Sequence, residues 1–90
     1  MINKRRTGLE IVGNILDLSQ YGAKKTELLY KNNMSYLQLN AYLKTLIEHD
    51  ILKENVKPRE NGKPERKIYI NTQKGNDLLD DINKVYRYFE

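Results

Sequence analysis

The stretch Lys31-Asn32-Asn33-Met34-Ser35-Tyr36-Leu37-Gln38-Leu39, KNNMSYLQL, decides how the chain folds. Asn32-Asn33 signals a turn, because Asn tolerates left-handed backbone angles and its amide can bond back to the main chain. Ser35 then falls where a helix N-cap belongs, with Gln38 three residues on. That pair forms a capping box: the Ser hydroxyl accepts from the Gln38 amide, and the Gln38 side chain reaches back to the Ser35 amide. Beyond it, Leu39, Leu43, Leu46 and Ile47 recur at helical spacing and predict a helix running to about His49. Upstream, Ala23 to Lys31 reads as a short helix with Leu28, Leu29 and Tyr30 toward a core. Two helices joined by so short a break cross steeply, as in a helix-turn-helix.

Working outward, Thr7 to Ser19 is predicted as the first helix. Thr7 and Glu10 form a second capping box, and Leu9, Val12, Ile15, Leu16 and Leu18 supply an apolar face. Gly13 inside it costs roughly 1 kcal/mol relative to Ala, which suggests close packing against a neighbour. Tyr21-Gly22 closes this helix. Downstream, Ile51 to Val56 is a candidate strand with Leu52 and Val56 on one face. Residues 57–65 hold two prolines and an Asn-Gly pair, a loop by composition. Arg66 to Asn71 reads as a second strand, with Ile68 and Ile70 on one side and Lys67 and Tyr69 on the other. Thr72 caps a last helix from Gln73 to about Phe89, in which Leu78, Ile82, Val85 and Phe89 follow a 4-3-4 spacing. No internal repeat or low-complexity segment is visible.

The expected architecture is therefore mainly α with a small β-hairpin: helix, helix-turn-helix, hairpin, helix. A hairpin directly after the second helix of the turn makes this a winged helix-turn-helix. Residues 1–71 are expected to form the winged domain, and 72–90 a C-terminal dimerisation helix.

Ninety residues support one small core. There is no cysteine, so no disulfide or thiolate zinc site is available. The single histidine, His49, stands at a helix end beside Asp50, where a cation suits the helix dipole. No second His or Cys builds a metal site, and no Gly-rich phosphate loop appears. Ser19 and Ser35 are better explained as a helix-end residue and a cap than as nucleophiles. No catalysis, metal or cofactor is expected. No apolar run approaches the ~20 residues that span a bilayer, and no signal peptide is visible, so a soluble, cytoplasmic protein associated with the nucleoid is expected.

The net charge of +4 favours a polyanionic partner, and its placement is informative. Lys4, Arg5 and Arg6 form a basic arm at the start; Arg59, Lys63, Arg66 and Lys67 outnumber Glu60 and Glu65 around the hairpin tip. Lysines and arginines there can neutralise phosphates, and an arginine can enter a narrow minor groove.

On a wheel of 100° per residue, Leu39, Leu43 and Leu46 point inward. Leu37, Gln38, Ala41, Lys44, Thr45 and Glu48 then face roughly the other way. Gln38 can pair bidentately with adenine, Lys44 can reach guanine or phosphate, and Ala41 or Thr45 can touch a thymine methyl. Gln38 has a competing duty as the capping partner, and Lys44 could equally be a solvated lysine. Exposed Leu37 either meets a base methyl or is covered by the turn. Ser35 and Tyr36 stand at the leading end of this helix. Tyr36 and Tyr42 flank the leucine stripe, either as core-edge side chains or with hydroxyls on phosphates. Double-stranded DNA is the expected partner and no small-molecule ligand is evident. A rival use of the same surface is docking on a protein, which exposed Leu37, Tyr42 and Tyr69 would favour. Non-specific chromatin packaging is a further alternative.

Several runs resemble one family: Gly22-Ala23-Lys24-Lys25-Thr26-Glu27-Leu28-Leu29-Tyr30, Met34 to Leu39, Tyr42-Leu43, and Ile68-Tyr69-Ile70-Asn71-Thr72-Gln73-Lys74-Gly75. They are similar to the small archaeal winged-helix regulators related to the ten-a chromatin proteins, over nearly the whole chain. The resemblance implies a DNA-binding winged helix that dimerises through its C-terminal helix, and transcription regulation is the expected role. Leu78, Ile82, Val85, Tyr86 and Phe89 would form that interface. A two-fold pair would set two recognition helices about 34 Å apart on one duplex face. The ten-a proteins carry a long antiparallel coiled coil, whereas the sequence here runs to Glu90. The other reading of the last helix is a core helix packing Leu79 and Tyr86 on its own domain.

Overall fold

The computed structural model describes residues 8–58, 61–62 and 65–90. The described elements are α1 (Gly8–Leu18), β1 (Ala23–Lys24), α2 (Lys25–Asn32), α3 (Tyr36–Glu48), β2 (Leu52–Lys57), β3 (Arg66–Asn71) and α4 (Gln73–Arg87). Thr7, the expected cap of the first helix, lies outside the described residues. The hairpin strands pair antiparallel from Leu52 opposite Asn71 to Lys57 opposite Arg66. No described helix is long and apolar enough to cross a membrane.

The predicted second helix begins two residues late. Ala23 and Lys24 are extended and add a third strand to the sheet, in the order β1-β3-β2. Ala23 faces Tyr69 and Lys24 faces Ile68. This pairing is long-range, and no local propensity announces it. Gly22 makes the entry possible: its φ is 100°, and a Cβ there would run into the Ile68 side chain.

The turn between α2 and α3 divides its two asparagines. Asn33 takes the left-handed conformation at φ 50° and ends α2. Asn32 stays helical and buried, its Nδ2 donating to the Leu28 carbonyl at 2.8 Å. Ser35 then starts α3 with the expected reciprocal bonds: Gln38 N donates to Ser35 Oγ, and Ser35 N to Gln38 Oε1, each at 3.2 Å.

The core joins Ile15 and Leu16 of α1, Leu28 of α2, Leu39, Leu43 and Leu46 of α3, Leu52 and Tyr69 of the hairpin, and Leu79 and Ile82 of α4. Gly13 has the close neighbour its position suggests, since a Cβ on it would stand 3.3 Å from Ile82 Cγ2. Tyr30 departs from expectation. It is 85 % exposed, because the inward arc of α2 is taken by Leu28 and, partly, Leu29.

The hairpin keeps the expected alternation of its side chains but corrects the expected exposure of Tyr69. Tyr69, expected on the outer side and available to a partner, is 2 % exposed. Its direct opposites are Glu54 on β2 and Ala23 on β1, so these share a face with it. The Tyr69 ring fills the core while its hydroxyl donates to the Glu54 carboxylate. Burial first, then that hydrogen bond and charge, push the phenol up to about 12. Ile68 and Ile70 are half-buried on the far face. Leu52 and Val56 do share a face, yet only Leu52 is buried; Val56 lies farther out along the hairpin and is exposed.

The joints converge on the start of α4. Asn71 Nδ2 donates to the Leu16 carbonyl at 2.7 Å and to Asn76 Oδ1 at 3.1 Å. The Asn71 amide donates to the Ser19 carbonyl at 3.0 Å, tying the end of β3 to α1. Thr72 Oγ1 accepts from Gly75 N at 3.0 Å and reaches the Asp50 carbonyl at 2.7 Å. Gly75 packs directly on the Ile51 carbonyl, where any Cβ would collide. These contacts lock α4 against the end of α3.

Candidate nucleic-acid interface

α3 has two unlike faces. Leu39, Leu43 and Leu46 are buried, at 0 %, 3 % and 5 % exposure. Leu37, Gln38, Ala41, Lys44, Thr45 and Glu48 are all exposed, and Leu37 keeps 82 % of its surface open. The turn therefore does not cover Leu37.

Local bonds shape what this face can offer. Thr45 Oγ1 donates back to the Ala41 carbonyl at 3.0 Å, which directs its hydroxyl hydrogen inward. Lys44 and Glu48 approach to 4.0 Å across one helical turn, both widely exposed. Such a pair is worth only a few tenths of a kcal/mol, about 0.3–0.5, so Lys44 leaves it at little cost. Ala41, Tyr42, Thr45 and Leu46 also border a shallow groove against Val12 of α1. Tyr42 is half-buried and packs on the core, as its core-edge reading has it, so it is not the exposed contact that docking on a protein would use. Tyr36 is 57 % exposed and lines a cleft with Thr26, Leu29, Tyr30 and Asn33 at the turn. Tyr30 beside it went unrecognised in the sequence, because its spacing matched a core position.

The far end of α3 is built as carefully. Asp50 takes φ 58°, Ile51 N donates to the Leu46 carbonyl at 2.9 Å and Asp50 N to the Ile47 carbonyl at 3.0 Å. This is a Schellman close with Asp where Gly is usual. His49 is the C-cap, and the cation that meets the helix end is Lys74 of α4, whose Nζ donates to the His49 carbonyl at 2.9 Å.

Beside α3 the wing carries Arg66 and Lys67, both exposed. They point to opposite sides of the sheet. Lys67 pairs with Val56 on the face shared with Tyr69 and Leu52, while Arg66 pairs with Lys57 on the other. Lys53 and Lys24 share that other face with Arg66, a grouping that only the strand register reveals. Lys4, Arg5, Arg6, Arg59 and Lys63 lie outside the described residues. Among the described residues, no three His, Cys, Asp or Glu side chains gather where they could hold a metal ion.

At α4 the expected interface residues separate by burial. Ile82 is 3 % exposed, buried in its own chain, and Leu78 and Tyr86 are half-buried against the core. Val85 and Phe89 are open at 45 % and 69 %, as is Tyr88. Leu79 is buried and Tyr86 packs inward, as the core-helix reading of α4 has it.

A capped helix presented outward after a tight turn, followed by an antiparallel hairpin, is the plan of a winged helix-turn-helix DNA-binding domain. The chain belongs to the winged helix-turn-helix family, whose profile matches residues 5–90. Family and fold are those of a DNA-binding domain. Among solved structures it is similar to Sso10a-2, a DNA-binding protein from Sulfolobus solfataricus, with TM-score 0.74 and 28 % identity, covering 92 % of this chain and 81 % of that one. The resemblance to the ten-a proteins is thereby borne out. A PadR-like transcription factor from Bacteroides fragilis shares the fold at TM-score 0.74 and 21 % identity, over 91 % of this chain and 84 % of that one. Pex, a circadian clock associated protein from Anabaena, shares it at TM-score 0.66 and 17 % identity, over 90 % and 76 %. No curated protein sequence matches the chain.

Proposed function

We propose that the chain binds double-stranded DNA with sequence selectivity and regulates transcription by occupying its site. In this reading α3 enters the major groove, and the basic hairpin, residues 57–67, lies on the backbone or in the minor groove. Residues 1–71 serve as the DNA-binding part, with the arm Lys4 to Arg6 adding phosphate contacts, and residues 72–90 pair two copies. One observation carries the proposal: the outer face of α3, from Leu37 through Thr45, is left open by the fold while its inner face is fully buried. The DNA binding ascribed to Sso10a-2 supports it.

A second reading, sequence-independent packaging of DNA, is favoured by the small set of base-competent polar side chains on that face. Gln38 shares its oxygen with the Ser35 cap, Lys44 sits in a weak exposed pair with Glu48, and Thr45 has turned its hydroxyl hydrogen inward. A gel shift on mixed duplex DNA at low and high salt, joined to selection from a random duplex pool, separates the readings. Selectivity predicts enrichment of a motif; packaging predicts salt-sensitive binding without one. Failure to retain any duplex in dilute buffer would leave the surface to a protein partner.

A further inference from the structure

Strand register sorts the charge of the sheet onto one side. Lys24, Lys53, Lys57 and Arg66 stand with Ile68 and Ile70 on the face opposite Leu52 and Tyr69. The four cations are exposed, and the two isoleucines on the central strand are half-buried. Glu54, the one acid within the three strands, is on the other face and accepts from the Tyr69 hydroxyl. Among the described residues no carboxylate pairs with any of the four cations. Glu27, at the corner beside Lys24, holds its carboxylate on the Lys24 backbone amide at 3.3 Å. The leucines of α3 share one core with Leu52 and Tyr69, so they lie beneath the opposite face. A duplex on the outer face of α3 is therefore separated from Lys24 and Lys53 by the core.

The density of charge says what this face suits. Lys53 and Lys57 are four residues apart on β2, about 13 Å along the strand, and β1 and β2 lie about 10 Å apart across it. Each strand of a DNA duplex carries a phosphate about every 3.4 Å of axis, so ~13 Å presents about four on the near strand. An acidic peptide strand turns only alternate side chains to a surface and presents about two over that length; an acidic helix presents about three. Four unpaired cations match the nucleic acid best.

We propose that the outer sheet face is a second site for duplex DNA, gripping the phosphate backbone, so that a single chain holds two DNA segments. The proposal rests on the reading that α3 holds the first. The site engages phosphates alone and carries no sequence preference.

The test coats beads bearing a tethered duplex with the full chain in dilute buffer, washes them, and offers a second, labelled duplex. Lys24→Gln/Lys53→Gln removes two exposed cations that lie outside α3 and outside residues 57–67, and circular dichroism checks its fold. Wild-type coating should retain the labelled duplex. K24Q/K53Q should coat the beads as fully and retain roughly fivefold less. Val85→Asp/Phe89→Asp should retain as much as wild type, since both sites belong to one chain. Equal retention by K24Q/K53Q, lost retention in V85D/F89D, or coating without retention would overturn the proposal and leave the α3 reading intact. A coating loss in K24Q/K53Q as large as its retention loss would overturn it too, because one duplex would then cover both surfaces. Coated beads that retain labelled polyglutamate but no labelled duplex would overturn it in favour of an acidic protein. If no chain coats the beads, the α3 reading itself fails, and this inference with it.

Discussion

Lys74 on α4 places its ammonium 2.9 Å from the carbonyl of His49, the residue that closes α3. A cation at a helix C-terminus meets both an orphan carbonyl and the negative end of the dipole, typically worth about 0.3–1 kcal/mol at an exposed site. Lys74→Met should therefore destabilise the chain by about 0.5 kcal/mol in urea unfolding, with the loss shrinking as salt is raised. An effect of the same size in high salt would assign it to packing of the lysine stem.

Asp50 holds φ 58° to complete the close of α3. An L-residue in that region carries roughly 1–2 kcal/mol of strain that Gly avoids, offset by Gly's greater freedom when unfolded. Asp50→Gly should raise stability by roughly 0.5–1 kcal/mol. Asp50→Val, β-branched at the same angle, should lower it, and thermal melts of the two variants check the sign.

Tyr69 should make folding sensitive to alkali. Its phenol ionises near 10 when unfolded and at about 12 in the fold. The folded state thus holds its proton after the unfolded state has released it. The resulting stability is fully present below pH ~10 and is lost as pH rises toward ~12. In Tyr69→Phe this part of the alkaline decline should vanish, at the cost of the bond to Glu54. Unfolding midpoints across that pH range, wild type against Y69F, are the measurement. Parallel curves would show that Tyr69 does not drive the decline.

The wing cations should register in the salt dependence of DNA binding. Each phosphate contact contributes roughly 0.9 to the slope of log affinity against log salt on duplex DNA. Lys67→Ala should reduce the slope by about one unit. Arg66→Ala should reduce it less, because Arg66 occupies the sheet face turned away from Leu52 and Tyr69. Equal losses would mean that the duplex grips the hairpin edge-on.

Two kinds of α4 substitution should behave oppositely. Ile82→Ala removes a buried side chain packed on Gly13, and should cost roughly 2–4 kcal/mol of stability. Val85→Asp and Phe89→Asp change exposed positions, so the folded chain should persist. If copies pair through α4, sedimentation velocity should show the wild type as a dimer and these two variants as monomers. A wild-type monomer at tens of micromolar would remove the pairing from the proposal.

Much of this could be read from local chemistry. The Ser35–Gln38 box, the left-handed Asn33, the leucine stripe of α3, the Thr72 cap and the tight packing at Gly13 each rest on neighbours within a few residues or on one residue's size. What escaped depends on pairing across the chain. Ala23-Lys24 becomes a strand only because β3 arrives beside it. The burial of Tyr69 escapes the sequence because two isoleucines outweigh one tyrosine on any hydropathy count, whereas the register gives Tyr69 a carboxylate for its hydroxyl at the core edge. Tyr30 follows two leucines that already fill the inward arc of α2, so its apolar ring stays outside. For the candidate interface, the direction of the α3 stripe was legible; the grouping of Lys24, Lys53 and Arg66 needed the strand register.

The clasp formed by Thr72, Lys74 and Gly75 fastens the start of α4 directly to the end of α3. If copies pair through α4 and α3 reads DNA as proposed, the two α3 helices would behave like the jaws of a fixed caliper. Inserting one base pair between half-sites turns one of them by about 35° around the duplex axis. With no compliant joint to absorb that rotation, tolerance to altered spacing would have to come from the DNA.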